Sequence, residues 1–82
     1  MINVLFFARY RELLGCDRLE LAWQDDWRSV ADIRDHLVRR GEPWTVLSEP
    51  TIMCAINQNM CQLDSSVAAG DELAFFPLVT GG

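Results

Sequence analysis

The sequence predicts an α+β domain in which a single mixed β-sheet carries one main helix packed on one face. Three observations lead there. Five segments alternate apolar and polar residues at the period-two spacing of strands, and one segment between the second and third repeats its apolar residues at helical spacing. Eighty-two residues, half of them apolar, suffice for one core and no more. For so short a chain with the order ββαβββ, one helix laid across one sheet is the compact solution, with the first and last strands side by side and parallel at its centre.

The first strand is read over Ile2 to Ala8, where Ile2, Val4, Phe6 and Ala8 share one face and Asn3, Leu5 and Phe7 the other. Arg9 to Gly15 follows as a turn or short helical connection. Asp17 to Trp23 places Leu19, Leu21 and Trp23 at period two and forms a second strand able to pair with the first. Ser29 followed by Asp32 is a helix-start signal, and Val30, Ile33 and Leu37 recur at helical spacing until Gly41 supplies a stop. Pro43 to Ser48 is expected to make a short helical turn, with Trp44 and Leu47 covering one end of the core, before Glu49-Pro50 breaks it. Thr51 to Ile56 is a third strand, Asn57-Gln58-Asn59 a turn, and Met60 to Leu63 a fourth strand. Ala69-Gly70-Asp71 turns into the last strand, Glu72 to Phe76.

Composition narrows the function. The formal net charge is −5 and no basic run is present, which disfavours nucleic acid. No apolar stretch approaches the roughly 18 residues of a membrane span, and the N-terminus lacks a signal-peptide pattern, so the expectation is a cytoplasmic protein. All seven bases are arginine, so the chain offers no lysine to accept an isopeptide bond from another copy. Cys16, Cys54 and Cys61 show neither C-x-x-C nor zinc spacing, which argues against a disulfide or a structural metal. Cys54 reads as a core hydrophobe and Cys16 as the more exposed thiol.

The catalytic inventory is thin. His36, the only histidine, is expected on the solvent side of the helix; Asp25-Asp26 lies just before the helix, where its dipole favours acids, Asp32, Asp35 and Arg39 read as helix-surface charges, and Asp71-Glu72 as solvated turn residues. No phosphate loop and no nucleophile triad is present.

Two features remain that point outward. On the strand parity, Leu5, Phe7 and Phe76 face away from the helix and Met60 joins them, so Phe7, Met60 and Phe76 are expected to form a partner-binding patch. The last strand should stop at Pro77, which has no N–H for the ladder. The domain is therefore placed at residues 1–77, and residues 78–82 (Leu78, Val79, Thr80, Gly81, Gly82) are expected to leave it as an arm ending in a carboxylate. Glycines without a Cβ suit insertion into a narrow channel on a partner.

VLFFARYREL at the start, AINQ in the third strand and GDELAFFPLVTGG at the end make the chain resemble the MoaD family, the small sulfur-carrier subunits of molybdopterin synthase. The resemblance runs the length of the chain, and it departs from the family at Leu78, where a second proline is usual. It implies a ubiquitin-like β-grasp fold. It also implies that a MoeB-like adenylating and sulfurating enzyme uses ATP to convert Gly82 into an acyl-adenylate and then a thiocarboxylate. Pro77, Leu78, Val79, Thr80 and Gly81 would carry that sulfur into the large synthase subunit, in a heterotetramer of two small and two large subunits, for transfer to cyclic pyranopterin monophosphate. The chain itself would bind no cofactor and supply no catalytic group. A sulfur carrier for thiamine thiazole synthesis, a ubiquitin-like modifier and a plain interaction module are the alternatives that share these features.

Overall fold

A strand that alternates burial along its length needs a partner on each edge and a cover on one face, and the chain provides all three. The computed structural model describes residues 1–78. The elements are β1 (Ile2–Phe6), α1 (Ala8–Leu14), β2 (Arg18–Leu21), α2 (Val30–Val38), a 3-10 turn (Trp44–Ser48), β3 (Met53–Ile56), β4 (Asn59–Cys61) and β5 (Glu72–Phe76). The five strands form one sheet in the order β2-β1-β5-β3-β4. β1 and β5 run parallel, with Phe6 opposite Phe75, and every other pairing is antiparallel. This is the β-grasp arrangement, with the expected parallel pair inside the sheet.

The core lies between the sheet and α2. Ile2, Val4 and Phe6 of β1, Leu73 and Phe75 of β5 and Cys54 of β3 meet Val30, Ile33 and Leu37 of the helix, all buried. Phe6 and Phe75 stack at 6.4 Å between centroids, and Trp44 closes over Phe6 edge-on at 5.8 Å. Leu47 is buried beneath the same end, as its position in the 3-10 turn predicts.

The α2 start is built by side chain and neighbour together. The Asp32 carboxylate accepts hydrogen bonds from the backbone N–H groups of Arg28 (2.7 Å) and Ser29 (2.9 Å). Those bonds hold its pKa below the usual carboxylate value, the Arg28 bond contributing most. The next free amides, of Val30 and Ala31, donate to the carbonyls of Ser65 and Leu63 at 3.1 and 2.8 Å.

Several boundaries differ from the sequence reading, each for a physical reason. β1 ends at Phe6 because Ala8 takes a positive φ of 53° and turns the chain into α1. That connection is a true helix, ended by Gly15 at φ 73°, and it buries Tyr10 completely. β2 stops at Leu21, the partner of Ile2, because β1 has no strand residue left to pair with Ala22 or Trp23. β3 begins at Met53 rather than Thr51: Met53 pairs with Phe76, and the next partner would be Pro77, which has no N–H. β4 stops at Cys61 rather than Leu63 because the Leu63 carbonyl serves the helix start.

Candidate functional site

With α2 covering one face of the sheet, the other face is open among the described residues. Strand parity puts Leu5, Ala55, Met60, Ala74 and Phe76 there, since Leu5 pairs with Ala74, Ala74 with Ala55 and Ala55 with Met60. They line an open groove of about 440 Å³ together with Phe7, Gln58 and Glu72. Alanines at two adjacent positions in the middle of this face make the floor, and the larger side chains make the walls. Phe7 is 45% exposed and Met60 61% exposed, so two of the three residues singled out from sequence present a large share of their apolar surface to water. Phe76 is half-buried in the wall.

Each wall residue is placed by a local device. Phe7 follows the last strand residue of β1, and its N–H still donates to the Phe75 carbonyl at 3.2 Å, which fixes the backbone from which the ring projects. Met60 owes its face to the β3–β4 turn. Asn57 and Gln58 both have positive φ, 50° and 71°, which is the two-residue hairpin geometry, and it sets Met60 opposite Ala55. A three-residue turn would shift that register and send Met60 to the other side.

The same turn pins the start of β5. The Asn57 side chain accepts a hydrogen bond from the Glu72 N–H (3.0 Å) and donates to the Asp71 carboxylate (3.1 Å), while its own N–H donates to the Glu72 carbonyl (2.8 Å). Asp71 also accepts from the Ala68 N–H at 2.8 Å. Asp71 is therefore not the solvated turn residue that the sequence suggested; with Asn57 it ties the two loops that flank the central strand. Asn57 was legible as a turn residue and as part of the AINQ motif but not as a tie to β5, because its partners lie 14 and 15 residues away.

At the other end of β5, Pro77 is buried against the domain and Leu78 is 49% exposed. Pro77 thus closes the sheet end, where the ladder stops. Val79, Thr80, Gly81 and Gly82 lie outside the described residues.

His36 departs from its expected place on the solvent side of the helix. It is half-buried, with its ring edge-on to the buried Trp27 at 5.3 Å, and Trp27 in turn meets Trp23 at 5.5 Å. The single histidine is an aromatic packing group at the flank of α2, beside Trp27. Tyr10 was missed altogether, since its segment read as a connection; its hydroxyl is the one buried side-chain polar atom without a hydrogen-bond partner among the described residues. Beside it, the Arg9 guanidinium forks onto both oxygens of Glu49 and joins α1 to the segment after the 3-10 turn. Among the described residues no three His, Cys, Asp or Glu side chains gather as a metal site, and no helix is long and apolar enough to cross a membrane.

Comparison with known proteins gives a consistent picture. Residues 4–82 match the ThiS family. The molybdopterin synthase sulfur carrier subunit of Haemophilus influenzae is 47% identical, with all of both chains covered. Its namesake from Escherichia coli K12 is 42% identical, again over the whole of both chains. Among solved structures, small archaeal modifier protein 1 of H. volcanii superposes with a TM-score of 0.76 at 28% identity, covering 95% of this chain and 97% of that one.

Proposed function

The chain belongs to the ThiS family, and on that premise we propose that it is the sulfur carrier subunit of molybdopterin synthase. The observation that carries the reading is that two relatives aligned end to end with this chain bear that name. The work is assigned to Gly82. A MoeB-like partner enzyme transfers the adenylyl group of ATP to the Gly82 carboxylate, releasing pyrophosphate. A sulfur nucleophile then displaces AMP from the acyl carbon and leaves a thiocarboxylate. In the large synthase subunit that sulfur passes to cyclic pyranopterin monophosphate, and water returns Gly82 to a carboxylate. Two sulfurs make a dithiolene, which suits an assembly of two small and two large subunits.

The carrier's own contribution is placement. Leu78, Val79, Thr80 and Gly81 set the reach of the terminal atom, and the open face with Phe7, Met60 and Phe76 docks both partners. Exposed aromatic and methionine side chains beside an alanine floor support that role, since flat apolar floors with adaptable walls accept more than one surface. The carrier binds no cofactor itself; ATP belongs to the activating enzyme.

The test is reconstitution with the purified activating enzyme and large subunit. The full chain should gain the mass of one oxygen-to-sulfur exchange at Gly82 and support dithiolene formation, and a chain lacking Gly82 should fold normally and do neither. Molybdopterin formation by the truncated chain would overturn the assignment. Gly81→Val should block adenylation or transfer with little change in Tm, because a branched side chain stands where only backbone is expected to pass.

A further inference from the structure

The edge hairpin holds a pair of thiols that sulfur delivery from Gly82 does not use. Cys54 in β3 and Cys61 in β4 are direct partners across the antiparallel ladder, and their Sγ atoms lie 3.3 Å apart. Both thiols are free. Opposed antiparallel residues have Cα atoms about 4.5–5.5 Å apart, inside the roughly 4.4–6.8 Å that a disulfide spans. The backbone therefore already has the separation that the bond requires.

Access comes from a second groove, which shares Met60 with the first. An open depression of about 440 Å³ at the sheet edge is lined by both cysteines together with Pro50, Met53, Leu63 and Asp64. Cys61 is half-buried in its wall and Cys54 lies beneath it. Cys16 cannot join them in the native fold, because it precedes β2, at the opposite edge of the sheet from β4.

We propose that Cys54 and Cys61 are a modification site: a dithiol that a small peroxide entering this groove converts reversibly to a disulfide. Cys61, the nearer to solvent, reacts first, its thiol proton passing to the departing oxygen. Its sulfur takes one oxygen from hydrogen peroxide, becoming S–OH, and the other oxygen leaves as water. Cys54 then gives up its proton and attacks the Cys61 sulfur, expelling the second water as the S–S bond forms. Two thiols lose two electrons and the peroxide gains them. The order follows from burial, which pushes the Cys54 thiol up to about 12 and keeps it protonated until its neighbour is oxidised. The bond staples two strands that are already paired, so the fold is retained.

The experiment treats the reduced full-length chain with micromolar hydrogen peroxide, then quenches, denatures and alkylates it for intact and peptide mass spectrometry. The expected product has lost two hydrogens, carries one alkylated cysteine, Cys16, and yields a Cys54–Cys61 linked peptide that dithiothreitol reverses. Its circular dichroism should match that of the reduced protein. Cys61→Ser should lose the product and Cys16→Ser should keep it. Three alkylated cysteines at a peroxide dose that oxidises free dithiothreitol would overturn the proposal. So would a link through Cys16, a link that survives in Cys61→Ser, or irreversible oxidation of Cys61 without a link.

Discussion

Phe6 and Phe7 are adjacent in sequence, yet Phe6 is 1% exposed and Phe7 is 45% exposed. The difference runs through the whole sheet. Toward α2, Phe6, Phe75, Leu73 and Val4 pack against the helix; away from it, Leu5, Phe7, Phe76 and Met60 surround an alanine floor that is open among the described residues. One face spends its apolar area on folding. The other holds similar side chains in reserve, and that reserve is what the domain can offer a partner.

The largest effect is expected from truncating a buried ring. Phe6→Ala or Phe75→Ala should cost about 3–5 kcal/mol of unfolding free energy, as for a fully enclosed phenylalanine, measured by urea denaturation. Phe7→Ala and Phe76→Ala should cost far less in the same assay, yet each should weaken binding to the large synthase subunit by about 2 kcal/mol if it anchors the contact, read by calorimetry. Large unfolding penalties with unchanged partner affinity would mean that the two faces have been exchanged.

A smaller effect is expected where the faces are joined. Asn57→Ala removes the side-chain bonds to Glu72 and Asp71 and should destabilise the fold by about 1 kcal/mol per bond lost. Because it loosens the turn that aims Met60, it should also weaken partner binding more than a remote mutation of equal stability cost. Equal losses for the two would separate Asn57 from the docking face.

The smallest effect is electrostatic and belongs to the start of α2. Asp32 has a folded pKa below its ordinary 3.8, so its contribution is present above that value and is lost as pH falls through the lower folded value. Asp32→Asn should therefore lower stability at neutral pH and flatten the acid limb of the stability curve, while leaving partner binding unchanged. A variant with an unaltered acid limb would show that the two backbone bonds do not persist in solution.

Much of this was readable from residue order, and the failures share a cause. Strand parity alone assigned Phe6 and Phe75 inward and Phe7 and Phe76 outward, because side chains alternate strictly along a strand. The helix was legible from Ser29, Asp32 and the Val30, Ile33, Leu37 spacing, because those signals lie within one turn of each other. Ends were less legible. Leu63 looks like strand and serves the α2 start instead, and Trp23 looks like strand but has no neighbour to pair with; both outcomes depend on residues far along the chain. Tyr10 and His36 were misjudged because their burial depends on what packs over them.

The β3–β4 turn shows most plainly where the division falls. Residue order determined that a turn lay at Asn57-Gln58-Asn59, that strands flanked it and that three cysteines were present. Whether two or three residues form the turn is settled by backbone geometry, with Asn57 and Gln58 at positive φ and Asn59 already in β4. One residue of slip would reverse every side chain of the edge strand, because the strand period is two. The observed register puts Met60 on the open face and Cys61 against Cys54. Local sequence thus specified which residues alternate, whereas the faces they took, and the neighbours they met across the sheet, were decided by a turn held in place through Asn57, Asp71 and Glu72.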